Sequence, residues 1–488
     1  MLVAASPSNG FVDWFMAFAP EKSPDKANLE LSGRLSGSTP SFLESTRRID
    51  KFIRDKKFKR AITELKVLSD LLPASAVIYE LRATLRFETG DYLASAKDNS
   101  EALRLNPAGA ATYLTRSGVA YSRLKQFDRA LNDLDKAIQI DSHYDLAFYN
   151  RGIVFALQGN FEAAIKDFTE ALAIDPQYAL ALCNRGTAYS DIGKLELAQL
   201  DLEKALRLDP ALADAYNSRG ALYFKKGDYD KAVRDFQDAI RINPNHHFAR
   251  SNLGLALVQK QEYASAIALF EQAIVAQPYD PMLYMQRGYS YALNNDFKKA
   301  LQDFEKVVEL SPQNPVAHNN VGYVAYRVGD LAKARLAWAS AVQMRNAPDY
   351  AYAGYAVALW KDRQPGAAIR HFEKAFTLNP EWRDDLYETA MSYHWSLDML
   401  EVAQTILVEI YKRSLEGGHF ARITVNPKRV GGLPSIRGMR IPVVTVARMM
   451  SGGATESDVL ETYPELESQD IEEVRQYAQQ HADLINLS

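Results

Sequence analysis

Proline recurs along this chain with a period of 34 residues. The series runs Pro73, Pro107 and then, two periods and one additional residue later, Pro176, Pro210, Pro244, Pro278, Pro312 and, two periods later, Pro380. A fixed period of this length indicates one supersecondary unit that is repeated, and each unit is too small to bury its apolar face except against its neighbours. Function is therefore expected on an extended surface rather than in a pocket.

The length and composition fit a repeat array in an aqueous compartment. A chain of 488 residues would ordinarily suggest about three domains, but an array grows along one axis and adds repeats instead. The chain is 47% hydrophobic with a net charge of −4, which does not favour nucleic-acid or membrane binding. Residues 11–19 are too short for a membrane span, contain Asp13 and lack the preceding positive charge of a secretory signal. A cytoplasmic location is expected, and the single cysteine, Cys183, agrees with a reducing compartment.

The unit that begins at Asp145 serves as a template, and its residues are numbered from position 1. Small residues occupy positions 8, 20 and 27, and large residues occupy positions 4, 11 and 24. In order along the chain these are Phe148, Gly152, Phe155, Ala164, Phe168 and Ala171, and Pro176 follows at position 32. The apolar positions recur at helical spacing on two segments, with a turn at Gly159, so each unit is predicted to form two antiparallel helices. The proline ends the second helix because it has no amide hydrogen to donate.

The units beginning at Ala179 and Ala213 repeat this scheme at all seven positions, and the pattern closely resembles the tetratricopeptide repeat. The resemblance implies an all-α fold, a right-handed solenoid of helix pairs. Ten units are predicted, starting at Phe42, Ala76, Ala111, Asp145, Ala179, Ala213, His247, Pro281, Pro315 and Asp349. An eleventh helix pair is expected at about residues 384–413, which gives a solenoid over residues 42–415. Residues 1–41 carry serine, glycine and proline without periodicity and are predicted to be mostly disordered.

Two columns of the repeat change together. Position 7 is Arg151, Arg185, Arg219 and Arg287 in four units, and position 23 of the same units is Asp167, Asp201, Asp235 and Asp303. Where position 7 is apolar, as Leu253 or Val321, position 23 is Leu269 or Ala337. An unpaired arginine facing a helix seam would be costly, so this pattern favours a contact between the two helices of one unit over a binding role for the arginines.

Position 6 is polar in seven successive units. Its residues are Arg116, Asn150, Asn184, Ser218, Asn252, Gln286 and Asn320. Asparagine has no propensity advantage within a helix, so another cause favours it there. In superhelical arrays of this family the first helices line the concave face. The resemblance therefore implies that these amides grip the backbone of an extended partner segment, as in glycosyltransferase-associated arrays. The alternative is hydrogen bonding between adjacent repeats, and the two interpretations are compatible.

Aromatic residues become more frequent at positions 9, 12 and 13 towards the C-terminus. They are Phe224, Tyr289, Tyr323, Tyr326, Trp360 and Trp395. Exposed aromatic side chains along a concave surface are typical anchors for a partner segment. Burial against the next repeat is the alternative, and it is favoured for any single one of them. As a set they predict that the second half of the groove recognises side chains.

A second module is predicted from residue 416 to residue 488. Residues 416–418 contain two glycines and indicate a hinge. Residues 423–427 and 434–438, separated by Gly431 and Gly432, suggest short strands. Three helices are predicted at residues 443–450, 455–462 and 468–481. Thr455 or Glu456 opens the second helix, and Ser468 is expected to cap the third.

This module resembles domain of unknown function 433, a small bacterial family counted among the antitoxin-like helix-turn-helix domains. The residues that carry the resemblance include Asn426, Pro427, Gly431, Gly432, Pro434, Ile436, Gly438, Arg440, Pro442, Gly453, Tyr463, Pro464 and Asp470. Leu433 and Met439 stand where the family often has lysine and threonine. The resemblance implies toxin binding or DNA binding.

The charge distribution of the module argues against DNA. From His419 onward it has seven Lys and Arg against nine Asp and Glu. The candidate contacts with a phosphate backbone or an acidic partner are Lys428, Arg429, Arg437 and Arg440. The second and third helices begin with acidic residues, which would meet phosphates unfavourably. Sequence-specific DNA binding is therefore not favoured.

No set of residues with catalytic or metal-binding spacing is present, so no enzyme activity, cofactor or metal is expected. The leading hypothesis is a non-catalytic bacterial scaffold or adaptor whose concave groove binds an extended segment of another protein. The alternative is an antitoxin or transcription regulator in which the C-terminal module binds a toxin or DNA and the repeats recruit or tune it.

Overall fold

A computed structural model describes residues 40–416, 423–425, 434–436 and 441–481. The predicted segment 1–41 therefore lies almost wholly outside the described residues. The described residues divide into two compact units, and the division falls after Lys260, within the seventh repeat. Residues 40–260 are called the N-terminal unit, and the described residues from 261 to 481 are called the C-terminal unit.

The N-terminal unit is a series of helix pairs. Its helices are α1 Pro40–Arg54, α2 Phe58–Leu71, α3 Ala76–Glu88, α4 Tyr92–Leu105, α5 Ala110–Arg123, α6 Phe127–Ile140, α7 Asp145–Leu157, α8 Phe161–Ile174, α9 Ala179–Asp191, α10 Leu195–Leu208, α11 Ala213–Lys225, α12 Tyr229–Ile242 and α13 His247–Gln259. The additional residue between the second and third repeats falls in a short 3-10 turn, Pro107–Gly109. Odd-numbered helices are the first helices of their repeats.

The C-terminal unit continues the helix pairs and ends in a small mixed domain. Its helices are α14 Tyr263–Ala276, α15 Pro281–Leu293, α16 Phe297–Leu310, α17 Pro315–Arg327, α18 Leu331–Val342, α19 Asp349–Lys361, α20 Pro365–Leu378, α21 Glu381–Asp384, α22 Leu386–Ser392, α23 Leu397–Glu416, α24 Val443–Ser451, α25 Glu456–Thr462 and α26 Ser468–Gln480. Helices α22 and α23 form the predicted terminal pair. Eight first helices begin at the predicted residue, and the other two, α1 and α5, begin two residues and one residue earlier than predicted.

The two helices of a repeat pack closely because position 8 is glycine in seven of the ten repeats. A Cβ atom placed on Gly152 would lie 2.8 Å from the ring of Phe168, and one on Gly186 would lie 3.1 Å from the carbonyl oxygen of Ala198. Phe168 is fully buried, with Ala164 and Ala171 beside it. The small and large side chains therefore pack against each other as the sequence predicts. The core of each repeat lies between its two helices.

Each turn between the paired helices contains a residue in the left-handed region at position 15. Five are glycines, at Gly90, Gly159, Gly193, Gly227 and Gly329, and five are other residues, at Lys56, Lys125, Gln261, Asn295 and Arg363. Position 16 then caps the second helix in several repeats: the side chains of Asp91, Asn160, Asp228, Asp296 and Asp330 accept a hydrogen bond from the backbone N–H three residues on. The turn geometry is thus constant although the residue in the strained position is not.

The end of the C-terminal unit is a small domain with the predicted short β element. Strands β1 Ile423–Val425 and β2 Pro434–Ile436 pair antiparallel, with Thr424 opposite Ser435. Helices α24 to α26 enclose a core of apolar residues that includes Val446, Val459 and Ile471. The three predicted helices are confirmed, and Thr455 caps α25 in a capping box with Asp458.

The prediction that Ser468 caps α26 is wrong. The N-cap is Glu467, whose side chain accepts from the backbone N–H of Asp470, while the Asp470 side chain accepts from the backbone N–H of Glu467. Asp470 is fully buried, so this reciprocal pair fixes the start of α26 from within the domain.

Candidate functional site

The covarying columns at positions 7 and 23 form ion pairs between the two helices of a repeat. Arg219 donates to both carboxylate oxygens of Asp235, at 2.8 Å each, and the Arg151, Arg185 and Arg287 pairs have the same two-pronged geometry. The hydrogen bonds to Asp235 raise the pKa of Arg219 above its usual value. The predicted contact is confirmed, and these arginines are structural braces.

The same columns hold contacts that the sequence reasoning missed. Arg82 donates to Asp98 at 2.7 and 2.9 Å, and Arg86 adds a third hydrogen bond to the same buried carboxylate at 2.7 Å. In the third repeat Ser117 donates to Asp133 at 2.7 Å. In the tenth repeat a ring pair replaces the ions, with Tyr355 and His371 centroids 4.7 Å apart. The signal was available, because all of these residues except Arg86 fall in the two columns already identified.

First helices face the inner side of each unit. Apart from contacts between helices that are consecutive in the chain, the helices that touch from one repeat to the next are mostly first helices: α5 with α7, α7 with α9, α9 with α11, α11 with α13 and α17 with α19. Repeats approach one another most closely on the inner side of a curved stack. We call this first-helix surface the inner face.

The polar column at position 6 lies on the inner face and contacts position 5 of the preceding repeat. Four such contacts join consecutive repeats: Arg116 to Glu80 at 3.2 Å, Asn184 to the Tyr149 hydroxyl at 3.0 Å, Asn252 to Asn217 at 3.1 Å, and Asn320 to the Met285 sulfur at 3.3 Å. Position 5 changes its chemistry to suit position 6. Reading that neighbouring column would have revealed the pairing.

The burial of most of these side chains argues against the expectation that they bind the backbone of a partner segment. Asn150, Asn184, Asn252, Gln286 and Asn320 are each exposed by 8% or less. The Asn150 side chain donates to the carbonyl oxygen of Leu146, one turn back in its own helix, at 2.7 Å. Such amides are poorly placed to grip an incoming backbone, because a bound partner would first have to displace contacts within the array. Ser218 and Arg116 are only half-buried and stay accessible.

The polar column ends at Asn320 for a steric reason. The next residue in position 6 is Gly354, and a Cβ there would lie 2.6 Å from the indole of Trp338. Trp338 is fully buried and donates from its indole nitrogen to Asn319 at 3.0 Å. The indole therefore fills the space that a position 6 side chain takes in the other repeats.

The aromatic residues of the C-terminal unit are used within the unit. Tyr323 is buried, and its hydroxyl donates to the carbonyl oxygen of His394 at 2.8 Å while it accepts from Arg327 at 2.7 Å. Tyr326 donates to Asp398, which also accepts from Lys361 at 2.7 Å. The inner face of α17 is thus tied to the terminal helix pair.

The structure therefore does not agree with the expectation that Tyr323 and Trp395 are exposed anchors for a partner. Trp395 is buried, and its ring lies 4.9 Å from that of Trp382. Tyr289 and Trp360 are partly buried against the same core. The alternative interpretation, burial against neighbouring repeats, describes these side chains best.

The inner face of the N-terminal unit keeps more of its side chains accessible. Partly or largely exposed residues at positions 2, 6, 9 and 12 of α9, α11 and α13 are Leu180, Thr187, Ser218, Phe224, Phe248 and Leu255. These positions are three or four residues apart, so they share one face of each helix. The surface alternates apolar and hydroxyl side chains on a braced backbone.

Cys183 lies beneath this surface. Its thiol is buried and contacts the Ser218 hydroxyl at 3.9 Å, and burial raises the pKa of the thiol far above its usual range. The thiol is therefore protonated at physiological pH and acts as a small packing group.

The predicted contact residues of the C-terminal module, Lys428, Arg429, Arg437 and Arg440, lie outside the described residues. Within the described parts of the module, α25 begins with Glu456 and has Asp458 in its first turn. Across the described residues as a whole, no group of three or more His, Cys, Asp or Glu side chains is placed to hold a metal ion. None of the helices described is long and apolar enough to cross a bilayer.

Comparison with protein families gives matches in the repeats and in the C-terminal segment. The family described as "Tetratricopeptide repeat" matches at residues 146–178, 213–246, 251–315 and 285–351, and the family "TPR repeat" matches at residues 118–159 and 188–227. The family "Protein of unknown function (DUF433)" matches at residues 423–478.

Individual proteins match parts of the array. Human "Tetratricopeptide repeat protein 6" is 27% identical over 99 residues, which are 20% of this chain and 19% of that protein. The chain thus matches about a fifth of its curated relative. A tetratricopeptide repeat protein from Parabacteroides merdae is 21% identical over 51% of this chain and 99% of its own, with a TM-score of 0.40. "YrrB: a TPR protein with an unusual peptide-binding site" is 23% identical over 38% of this chain and 95% of its own, with a TM-score of 0.30.

The helix pairs and the family matches together show an array of tetratricopeptide repeats, a fold that is typical of protein–protein interaction scaffolds. More particularly, these repeats are followed by a segment, residues 423–478, that matches the DUF433 family.

Proposed function

We propose that this scaffold binds an extended segment of a partner protein on the inner face of its N-terminal unit. The observation that carries the proposal is the set of accessible apolar and hydroxyl side chains on α9, α11 and α13. Phe248 is 44% exposed, which is high for an aromatic side chain on a first helix of this chain. Leu180 and Leu255 supply further apolar contact. The Thr187 hydroxyl donates to the Ser218 hydroxyl at 3.0 Å, which leaves the Ser218 hydroxyl able to donate to a partner.

The contacts beneath this surface fix its geometry, which lowers the entropy cost of binding. The Arg185–Asp201 and Arg219–Asp235 pairs hold each repeat, and the Asn184–Tyr149 and Asn252–Asn217 contacts hold consecutive repeats. A surface that is already in its binding geometry loses little conformational entropy when a ligand binds. The polar column thus contributes to binding indirectly, by holding the first helices in register.

The test is a selection of 16-residue peptides from a random displayed library on the immobilised full chain. Peptides that enrich are synthesised, and their dissociation constants are measured by fluorescence anisotropy. The variant Leu180→Ala with Phe248→Ala should weaken binding about tenfold or more, since truncating central apolar contacts costs roughly 1–2 kcal/mol or more.

The matched control is Leu197→Ala with Leu200→Ala on the second helix α10. Leu197 is 44% exposed, the same fraction as Phe248, and Leu200 is 62% exposed. This control should leave the dissociation constants unchanged. The proposal fails if no peptide enriches, or if the two double variants weaken binding equally.

A further inference from the structure

We propose that the first repeat binds an acidic segment of a partner protein along the exposed side of its second helix, α2. The carboxylates of the segment lie at the start of the helix, and its apolar side chains lie at the end. This surface is separate from the inner face of α9, α11 and α13. The inference therefore goes beyond the proposed function and does not rest on it.

The first repeat is strongly basic within a chain that is acidic overall. Residues 44–66 contain nine Lys and Arg against four Asp and Glu, although the net charge of the chain is −4. All nine of these cationic side chains are exposed. Ion pairs within the repeat engage Arg48 and Lys57. Even if every acid of this segment were paired within it, five positive charges would remain to attract a partner.

The positive charges at the start of α2 lie where they weaken the helix. Five later repeats begin their second helix with an Asp or Asn side chain that accepts a backbone N–H, whereas the N-cap of α2 is Lys57, which makes no such bond. Lys59 and Arg60 follow in the first turn, where a cation meets the positive end of the helix dipole. Helix stability therefore does not account for these residues, and binding of an anion does.

The terminal place of the repeat accounts for polar side chains but not for their common sign. Position 10 is buried in the nine later repeats, and in the first repeat it is the exposed Lys51. An end repeat needs a hydrated outer surface, and a mixture of acids and bases would supply one. Here the hydrogen bond from Lys57, and then the charges of Lys51 and Arg54, lower the pKa of Asp55. The turn between α1 and α2 is thus a region of positive potential.

An apolar surface continues the basic one along α2. Arg60, Val67 and Leu71 are spaced by seven and four residues, so they share one side of the helix. Val67 is 52% exposed and Leu71 is 67% exposed, and Leu72 follows them at 38%. The distance from Arg60 to Leu71 along the helix axis is about 16 Å, which an extended segment of about five residues covers.

The combination of charge and apolar surface favours a protein segment over other anions. Val67, Leu71 and Leu72 offer no contact to a phosphate backbone, and they are too few to anchor a chain on a bilayer. The positive charge also ends with the repeat, because residues 76–109 contain four Lys and Arg against five Asp and Glu. A nucleic acid, with its evenly spaced phosphates, would run on from the basic surface to one that repels it.

The experiment titrates two fluorescein-labelled peptides into the full chain at about 50 mM NaCl. One peptide consists of four glutamates, a glycine and three leucines, and the other has the same residues in reverse order. At least one of them should bind with a dissociation constant of about 100 μM or lower. Its binding should weaken at least about fivefold at roughly 300 mM NaCl, since salt screens the charges. If neither peptide binds, the inference is overturned.

Two variants of the first repeat test where the peptide binds. Lys51→Glu with Lys59→Glu and Lys66→Glu should weaken binding at least about tenfold, because like charges then face the glutamates. Val67→Ser with Leu71→Ser should weaken it about threefold or more, because the leucines lose their contacts. Circular dichroism checks that the helical content of each variant is unchanged.

Each variant has a matched control elsewhere in the N-terminal unit. Lys97→Glu with Lys136→Glu and Lys166→Glu changes the net charge equally, at exposed lysines of α4, α6 and α8. Leu197→Ser with Leu200→Ser alters two apolar side chains of α10 that are 44% and 62% exposed. Both controls should leave the dissociation constant within about twofold of the unaltered chain. Equal weakening by a variant and its control would overturn the inference.

Other ligands and the other surface are distinguished in the same assay. Single-stranded DNA of about 20 nucleotides and phosphatidylcholine vesicles with about 30% phosphatidylserine are the further probes. Tighter binding of either probe than of the peptides, lost in Lys51→Glu with Lys59→Glu and Lys66→Glu, would overturn the inference in favour of that ligand. Weakening of peptide binding by Leu180→Ala with Phe248→Ala, and not by the first-repeat variants, would also overturn it and would leave the proposed function intact.

Discussion

The inner faces of the two units are built from the same repeat and are used differently. In the N-terminal unit the first helices α9, α11 and α13 keep Leu180, Phe248 and Leu255 accessible. In the C-terminal unit Tyr323 and Tyr326, at positions 9 and 12 on the inner face of α17, are hydrogen-bonded to His394 and Asp398. The glycine, alanine and proline residues that recur in every repeat therefore do not determine whether the inner face is accessible. The side chains outside the frame determine it.

The largest expected effect concerns the frame common to both units. Asp98→Ala removes a buried carboxylate that pairs with Arg82 and Arg86, and it should lower the free energy of unfolding by about 3–5 kcal/mol, because two guanidinium groups lose their partner. Urea denaturation followed by circular dichroism measures this loss. Asp238→Ala, which breaks the exposed pair with Arg241, is the control and should change the free energy of unfolding far less, because water screens this pair. Similar losses for both variants would contradict the bracing role.

The next effect separates the two inner faces. Tyr323→Phe with Tyr326→Phe removes the hydrogen bonds to His394 and Asp398 and should lower the free energy of unfolding by about 2 kcal/mol. The dissociation constants of library peptides should not change. A loss of peptide binding without a loss of stability would show that the C-terminal inner face also binds ligands, and the contrast between the units would be wrong.

A smaller effect tests the turns that both units share. Lys125 has a φ of 57°, in the left-handed region, where a side chain is strained. Lys125→Gly should raise the free energy of unfolding by about 0.5–1 kcal/mol, and Gly159→Ala at the equivalent turn should lower it by a similar amount. Thermal unfolding midpoints measure both. If Lys125→Gly destabilised the chain, another contact of the lysine would have to outweigh the backbone strain.

The smallest effect is a pH dependence confined to the C-terminal unit. Hydrogen bonds from Lys361 and then from Tyr326 lower the pKa of Asp398 below its usual value. The carboxylate therefore stabilises the fold above its ordinary pKa near 4, and this contribution is lost as the pH falls through the lowered value. Asp398→Asn should reduce the difference in thermal midpoint between pH 6 and pH 3 slightly. An unchanged difference would mean that other carboxylates account for all of the acid sensitivity.

Much of the fold could be predicted from the sequence because each repeat offers the same evidence again. Gly152, Ala164 and Phe168 predicted the packing of one helix pair, and Gly186, Ala198 and Leu202 predicted it independently in the next. The pairing of Arg151 with Asp167 was predictable for the same reason, since two columns varied together. Repetition within one chain thus served in place of a family alignment.

The candidate site was harder to predict because a polar residue does not reveal which neighbour it faces. Asn184 is as suitable for a partner backbone as for the Tyr149 hydroxyl, and the helical period alone places it towards both. Whether the Tyr323 side chain is exposed or buried depends on its hydrogen bond to His394, which is 71 residues away in the sequence. No local pattern could therefore show it. The limits predicted for the solenoid, residues 42–415, and for the module, residues 416–488, stay predictions.

The contact between Trp338 and Gly354 bears on how the array could have grown. Duplication of a whole repeat is the simplest way to lengthen such a chain, yet the unit starting at Asp349 fits only behind a unit whose second helix carries a bulky indole. If this unit were copied to another place in the array, a void would remain beside Gly354. The same void would form if another unit were inserted directly before it. The last repeats are therefore not interchangeable parts, and lengthening by duplication is expected to have taken place further towards the N-terminus.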